Sequence, residues 1–196
     1  MDLNEKREAV LEAAATVFSQ YGFRRASMSA IAAAAGISRP TLYQWFENKA
    51  ALFRQLANHR QNQAIAEAAS VLTEPAPLAD RVPRAILAYE RIYYEPVAGS
   101  PHAAEFLDLN QGAAASDMID GRYRLIAHLA VAIDSASGGA DAPSRNPMIS
   151  APYFAELLMS AVNGVKSSAT SIADFRQKIA DVTDIFMVSI GARPPL

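Results

Sequence analysis

The sequence predicts an all-α protein: an N-terminal three-helix helix-turn-helix domain over residues 1–53, then a second helical domain over residues 54–196, with about nine helices in total. Three observations lead there. Apolar residues recur at steps of three and four in nearly every segment, the period of a helix with one buried face. Prolines and glycines, eleven and nine of them, cluster between those segments. And residues 27–46, S-M-S-A-I-A-A-A-A-G-I-S-R-P-T-L-Y-Q-W-F, read as two short helices joined by a tight glycine turn.

Within that stretch Ser27 is a natural N-cap, its hydroxyl placed to accept a bond from a backbone N–H that the helix start leaves free. Met28, Ile31, Ala32 and Ala35 give the first helix one narrow buried face. Gly36 ends it, because a helix C-terminus commonly needs a left-handed residue, and Ser38 caps the next. With Ser38 as cap, Pro40 lies in the first turn, where its missing N–H costs nothing. Leu42 and Phe46 then point to one side, and Pro40, Thr41 and Gln44 to the other, flanked by Arg39, Tyr43 and Trp45. A merely solvated face would carry Lys and Glu. This one offers hydrogen-bonding heads, a methyl group, a proline and aromatics, which suits a recognition helix in a DNA major groove.

The run G-I-S-R-P-T-L-Y-Q-W-F-E-N-K-A-A-L-F, preceded by I-A-A-A-A and a capping Ser, resembles the DNA-binding segment of TetR-type transcriptional regulators. The resemblance covers about Lys6 to Phe53, and is architectural beyond it. It implies that Lys49, at the start of the fourth helix, contacts the DNA backbone, and that Ser29 reaches a base. It also implies an effector cavity in the middle helices, and a four-helix bundle made by the last two helices with their copies in a second chain. Where the family often has glycine or alanine this chain has Pro40, which leaves that position's base preference open.

Composition agrees. At 51% hydrophobic and 19% charged, 196 residues can bury one substantial core and a small satellite domain. Net charge is −2, but unevenly placed: residues 1–60 hold eight Lys/Arg against five Asp/Glu, and the remainder ten against fifteen. The basic part is the part with the motif, as local phosphate neutralisation requires. With no cysteine there are no disulfides, thiolate metal sites or thiol nucleophiles. The charged N-terminus M-D-L-N-E-K-R-E does not read as a secretory signal, and no segment is long enough to span a bilayer, so a cytoplasmic location is expected.

In chain order, Val10, Ala13, Ala14, Val17, Phe18 and Tyr21 predict an amphipathic helix from Asn4 that Gly22 closes, packed across the helix-turn-helix together with Phe23. Arg24 and Arg25 are either near phosphates or simply solvated. Asn48 caps a helix that opens at Lys49 and runs to about Leu72. A lysine at a helix N-terminus opposes the macrodipole, and a nearby anion would explain it. Thr73 to Pro83 reads as a connection, with Asp80 as the next cap. Ile86, Leu87, Tyr89, Ile92, Tyr93 and Tyr94 follow, then a segment with Phe106, Leu107 and Leu109, then Met118, Ile119, Tyr123, Leu125, Ile126, Leu129, Val131 and Ile133. Residues 135–147 are the most loop-like.

The last two helices carry broad apolar stripes: Phe154, Leu157, Leu158, Ala161, Val162 and Val165, then Ile172, Phe175, Ile179, Val182, Phe186 and Ile190, with Ile185 widening the second. Ser171 and Asp174 resemble a capping box. As dimer interface the expectation names Phe154, Leu157, Leu158, Ala161, Val162, Phe175, Ile179, Val182, Phe186 and Ile190.

No catalytic constellation is present. His59, His102 and His128 are scattered, His102 with Glu105 makes at most two ligands, and G-G-A at 138–140 lacks the rest of a phosphate loop. No enzyme activity, cofactor or metal is expected. Tyr89, Tyr93, Phe106, Asn110, Met118 and Tyr123 mix aromatic area with polar heads, as effector pockets do, though such residues are also ordinary core.

The expected function is a sequence-specific regulator, a repressor that binds a pseudo-palindromic operator in double-stranded DNA as a homodimer and is released by an unidentified small-molecule effector. Arg39, Pro40, Thr41, Gln44 and Ser29 would meet base edges, and Ser27, Tyr43, Trp45 and Lys49 phosphates. The alternative is a helical ligand-binding or enzymatic protein using the helix-turn-helix only as scaffold.

Overall fold

Caps and turns set the helix boundaries much as their residue types dictate. The computed structural model describes residues 3–102, 115–136 and 149–192, and every regular element among them is a helix. In chain order these are α1 (Leu3–Arg25), α2 (Met28–Ala34), α3 (Arg39–Trp45), α4 (Lys49–Leu72), α5 (Leu78–Tyr93), α6 (Glu95–Ala98), α7 (Ala115–Ala136), α8 (Ala151–Ser168) and α9 (Ile172–Ser189). No helix among the described residues is long and apolar enough to cross a membrane.

The chain packs as two compact units, Met1–Asn62 with Pro96–Ile119, and Gln63–Glu95 with Asp120–Leu196. The first has a core of Val10, Leu11, Ala14, Val17 and Phe18 from α1, Ile31 from α2, Leu42 and Phe46 from α3 and its cap, and Leu52 and Leu56 from α4. Phe18, Phe23 and Phe53 form a three-ring cluster with centroids 5.3–5.7 Å apart. Tyr21, expected to be inward, is exposed instead. Gly22, at φ 76°, breaks the helical path there and Phe23 takes the position against the rings.

The second unit is built from the C-terminal half of α4 with α5, α7, α8 and α9, around Ala68, Val82, Ile86, Leu129, Leu158 and Ile179. α5 begins one turn earlier than expected: Pro77 is its N-cap residue and Asp80 lies inside the first turn, where a carboxylate suits the positive end of the helix. Pro83 is consequently inside the helix rather than at its start. The Arg81 guanidinium donates to the Leu72 carbonyl, tying the start of α5 to the end of α4. On α7, Leu125, Ile126, Leu129 and Ile133 are buried, but Tyr123 and Val131 face solvent.

At the start of α9 the Ser171 hydroxyl accepts from Asp174 N–H at 3.1 Å. The reciprocal arm differs from a standard capping box: Asp174 accepts from the backbone N–H of Thr170, not Ser171, at 2.8 Å. That bond and the Lys178 ammonium 2.9 Å away hold the Asp174 carboxyl below the usual range.

Candidate nucleic-acid interface

The helix-turn-helix is held by local bonds that follow from its sequence. Ser27 Oγ accepts from Ala30 N–H at 3.1 Å, and Ser38 Oγ from Thr41 N–H at 3.1 Å, so each short helix has a side-chain N-cap. Between them Gly36 sits at φ +66°. Its N–H bonds the Ala33 carbonyl at 3.2 Å and the Ile37 N–H bonds the Ala32 carbonyl at 3.0 Å, the paired closure of a Schellman turn. A Cβ at Gly36 would meet nothing within 4 Å, so only the backbone conformation selects glycine. Gly36→Ala is therefore expected to cost about 1–2 kcal/mol of thermal stability without a packing defect, and a melting curve at the wild-type midpoint would contradict this.

α3 divides as its spacing requires. Leu42 and Phe46 are fully buried, whereas Arg39, Pro40, Tyr43 and Gln44 are exposed on the opposite side. The Arg39 guanidinium lies 5.4 Å from the centre of the Tyr43 ring, one turn on, which steadies a long side chain at the helix start while leaving its N–H groups outward. Thr41 and Trp45 are half-buried, and the Thr41 hydroxyl is engaged with Ser38 Oγ at 2.7 Å, so its methyl rather than its hydroxyl is the group left to offer. Ser29 and Ser27 are exposed on α2.

One residue of this unit was not singled out by sequence reasoning. Arg7 donates to the Trp45 carbonyl at 3.4 Å and lies 5.8 Å from the Phe46 ring centre, closing the C-terminal end of α3 from α1. The signal was available: Arg7 is three and four residues before Val10 and Leu11, a charge on the apolar stripe.

Lys49 departs from expectation. Its ammonium donates to the carbonyls of Phe23 at 2.6 Å, Arg24 at 3.2 Å and Ala26 at 2.8 Å, and stands 4.6 Å from the Phe23 ring centre. All three of its N–H donors face main-chain oxygen, and a phosphate would have to displace one of them.

These features coincide with the segment that a known family shares. The model for bacterial regulatory proteins of the tetR family matches residues 10–56. Over that segment the chain is similar to regulators of the TetR family. Among curated proteins it is similar to the HTH-type transcriptional regulator RutR of Escherichia coli (strain K12), 30% identical over 118 residues, which are 60% of this chain and 53% of that protein. The chain spans about half the length of the curated relatives it matches. Among solved structures, a transcriptional regulator from Cytophaga hutchinsonii superposes with a TM-score of 0.78 at 18% identity, over 93% of this chain and 97% of that one. FadR from Bacillus subtilis in complex with stearoyl-CoA gives 0.68 at 14% identity, over 93% and 98%. At these identities the likeness is of the fold alone.

In the second unit the expected effector residues are only partly brought together. Tyr89 and Tyr93 are in ring contact at 5.4 Å on α5, but Tyr123 is 60% exposed on α7. Phe106 and Asn110 lie outside the described residues, as does the side chain of Met118. Beside the tyrosines is a group the sequence reading passed over: Glu90, fully buried, with Lys166 Nζ 2.7 Å from its Oε1. The contact is one of charge, and neither carboxylate oxygen has an aligned hydrogen bond among the described residues. Burial pushes the Glu90 carboxyl above the ordinary range, outweighing the opposing pull of Lys166. The Tyr93 hydroxyl is pushed up as well, by burial first and the Glu90 charge second. Tyr94 donates to the Lys166 carbonyl at 3.2 Å, and the Lys166 ammonium lies 5.1 Å from its ring centre. No group of three or more His, Asp or Glu among the described residues could hold a metal ion.

The residues named for a dimer surface separate into two sets. Phe154, Leu158, Val162, Phe175 and Ile179 are buried within their own chain and are core, not free surface. Ala161, Val182, Phe186 and Ile190 are half-buried, and Leu157 is exposed. Along α8, Tyr153, Leu157, Ala161 and Gly164 follow one another at steps of four, four and three, and on α9 Ile185 and Val188 are 68% and 61% exposed. A helix period read from sequence shows which residues are apolar but not which of two apolar flanks the chain itself covers.

Proposed function

We propose that this protein is a sequence-specific DNA-binding regulator that pairs two helix-turn-helix heads on a pseudo-palindromic operator and loses affinity for it when a small molecule binds the second unit. The observation that carries this is the outward set on α3, Arg39, Pro40, Tyr43 and Gln44, backed by the fully buried Leu42 and Phe46. Arg39 has the donor fork for guanine, Gln44 the paired donor and acceptor for adenine, and the Thr41 methyl can pack on thymine. Ser27, Ser29 and Tyr43 are exposed as well, Ser29 to reach a base, and Ser27 and Tyr43 to hold phosphates and fix register. The similarity to RutR, an HTH-type transcriptional regulator, supports the regulator, and the stearoyl-CoA bound by FadR supports a body that takes a small ligand. Any ligand preferring states in which the heads do not match the half-sites weakens operator binding by that preference, and DNA weakens the ligand equally.

Selection from random duplexes tests the reading: it should enrich a two-fold-related sequence whose affinity falls steeply as salt rises. Failure to enrich any sequence, or salt-insensitive binding, would count against it.

The exposed Leu157, Ile185 and Val188, with half-buried Ala161, form the surface on which the second copy is proposed to sit. Because Ile185 is exposed, Ile185→Glu should leave the monomer's melting little changed but shift the protein from dimer to monomer in sedimentation. It should weaken operator binding in parallel. A variant that sediments as wild type would reject this surface.

A further inference from the structure

The start of α4 carries a lysine in an electrostatically poor place, since an ammonium there opposes the positive end of the helix. What compensates it is not solvent. Lys49 Nζ is surrounded by the carbonyls of Phe23, Arg24 and Ala26 at 2.6–3.2 Å, the main-chain oxygens with which α1 ends and the turn into α2 begins. Gly22 breaks the helical path just before them, so these carbonyls belong to the link between α1 and α2. The ring of Phe23, itself locked against Phe18 and Phe53, covers the ammonium from one side. Ala26, the last of the three acceptors, immediately precedes Ser27, the cap of α2.

We propose that Lys49 is a positioning residue for DNA binding: its ammonium pins the α1–α2 turn to the first turn of α4, and thereby sets where Ser27, Ser29 and Arg25 are presented, without itself contacting a phosphate. A tripod of three N–H donors on a flexible stem fits three converging carbonyls. The planar, longer guanidinium of arginine does not, although it keeps the charge and would serve a phosphate equally well. Charge and geometry are thus separable at this position.

The proposal rests on the operator-binding reading, and its test keeps the two apart. The full-length protein and its Lys49→Met and Lys49→Arg variants are titrated with the selected operator over a range of salt, and amide exchange is followed at Met28–Ile31. Positioning predicts that both variants lose at least about tenfold in affinity at fixed salt, keep the wild-type salt slope, and exchange faster at the first turn of α2. A phosphate contact predicts the reverse: Lys49→Arg close to wild type, and Lys49→Met with a slope shallower by about 0.9 per head, about 1.8 for the paired heads on the operator. That pattern, or unchanged exchange in both variants, overturns the proposal. Should Lys49→Met fail to fold, Lys49→Arg decides alone, because only the positioning role makes it defective. A wild-type protein that binds no duplex in a salt-dependent manner sinks the operator reading instead, and the exchange measurement still judges the lysine.

Discussion

Replacing Lys166 with methionine is expected to lower folding stability by about 3–5 kcal/mol at neutral pH, because it strands the fully buried Glu90 carboxylate without its counter-charge. Methionine keeps the apolar stem against the Tyr94 ring, so the loss isolates the charge. Its pH dependence has a definite sign. The native Glu90 carboxyl is already above the ordinary range and rises further without Lys166, so the folded protein takes up this proton before the unfolded chain does. The contribution is most favourable below the unfolded carboxylate value and is lost as pH rises through the native one. The variant should therefore lie nearest the wild type in acid and furthest from it at neutral pH and above. Denaturant titrations of both proteins from pH 4 to 8 check this. A gap that widens toward acid, or one well under 1 kcal/mol at neutral pH, would mean that Glu90 is not held as an unsatisfied buried acid. The double variant Lys166→Met with Glu90→Gln should recover much of the loss.

The second large effect concerns the reading helix. Arg39→Ala should weaken operator binding by about 1–3 kcal/mol per half-site, roughly five- to 150-fold for each, and relax the preference at one base pair in each half. Arg39→Lys should not restore it, since the stack on Tyr43 and the paired donors both need a planar fork. Competition with unrelated duplex separates base reading from backbone contact. If operator and unrelated DNA lose affinity alike, Arg39 holds a phosphate and the base at that position is read by another group.

The pair of tests addresses two different physical situations. On α3 a charge is exposed and available, and its energy appears only when DNA supplies a partner. At Glu90 and Lys166 both charges are committed within the second unit, where desolvation has already raised the carboxyl.

How much of this was legible in the sequence differs from element to element. Ser27, Gly36, Ser38 and Asn48 act through bonds to residues within four positions, and each forms the cap or turn that its type suggests. Leu42 and Phe46 were readable as inward because a four-residue step on so short a helix leaves one alternative only. At Lys49 the unfavourable dipole position was legible, but the groups around its ammonium are neutral main-chain oxygens 23 to 26 residues earlier in the chain, which local sequence does not reveal. Asp80 was misplaced by one turn: the Pro77 carbonyl already accepts from the Asp80 and Arg81 N–H groups, so α5 begins at Leu78 without a side-chain cap.

What the sequence by itself determined was the helical class, the helix-turn-helix with its capped ends, and the outward polar face of α3, since each depends on periodicity and on hydrogen bonds of short reach. Only the tertiary structure decided that Phe154, Leu158, Val162, Phe175 and Ile179 belong to the chain's own core while Leu157, Ile185 and Val188 remain uncovered. It alone decided, too, that Lys49 faces carbonyls and that Glu90 meets Lys166. The physical reason is common to all three: a helix states the direction of each side chain relative to its own axis, whereas the group that meets it comes from a distant part of the chain, and composition does not say which.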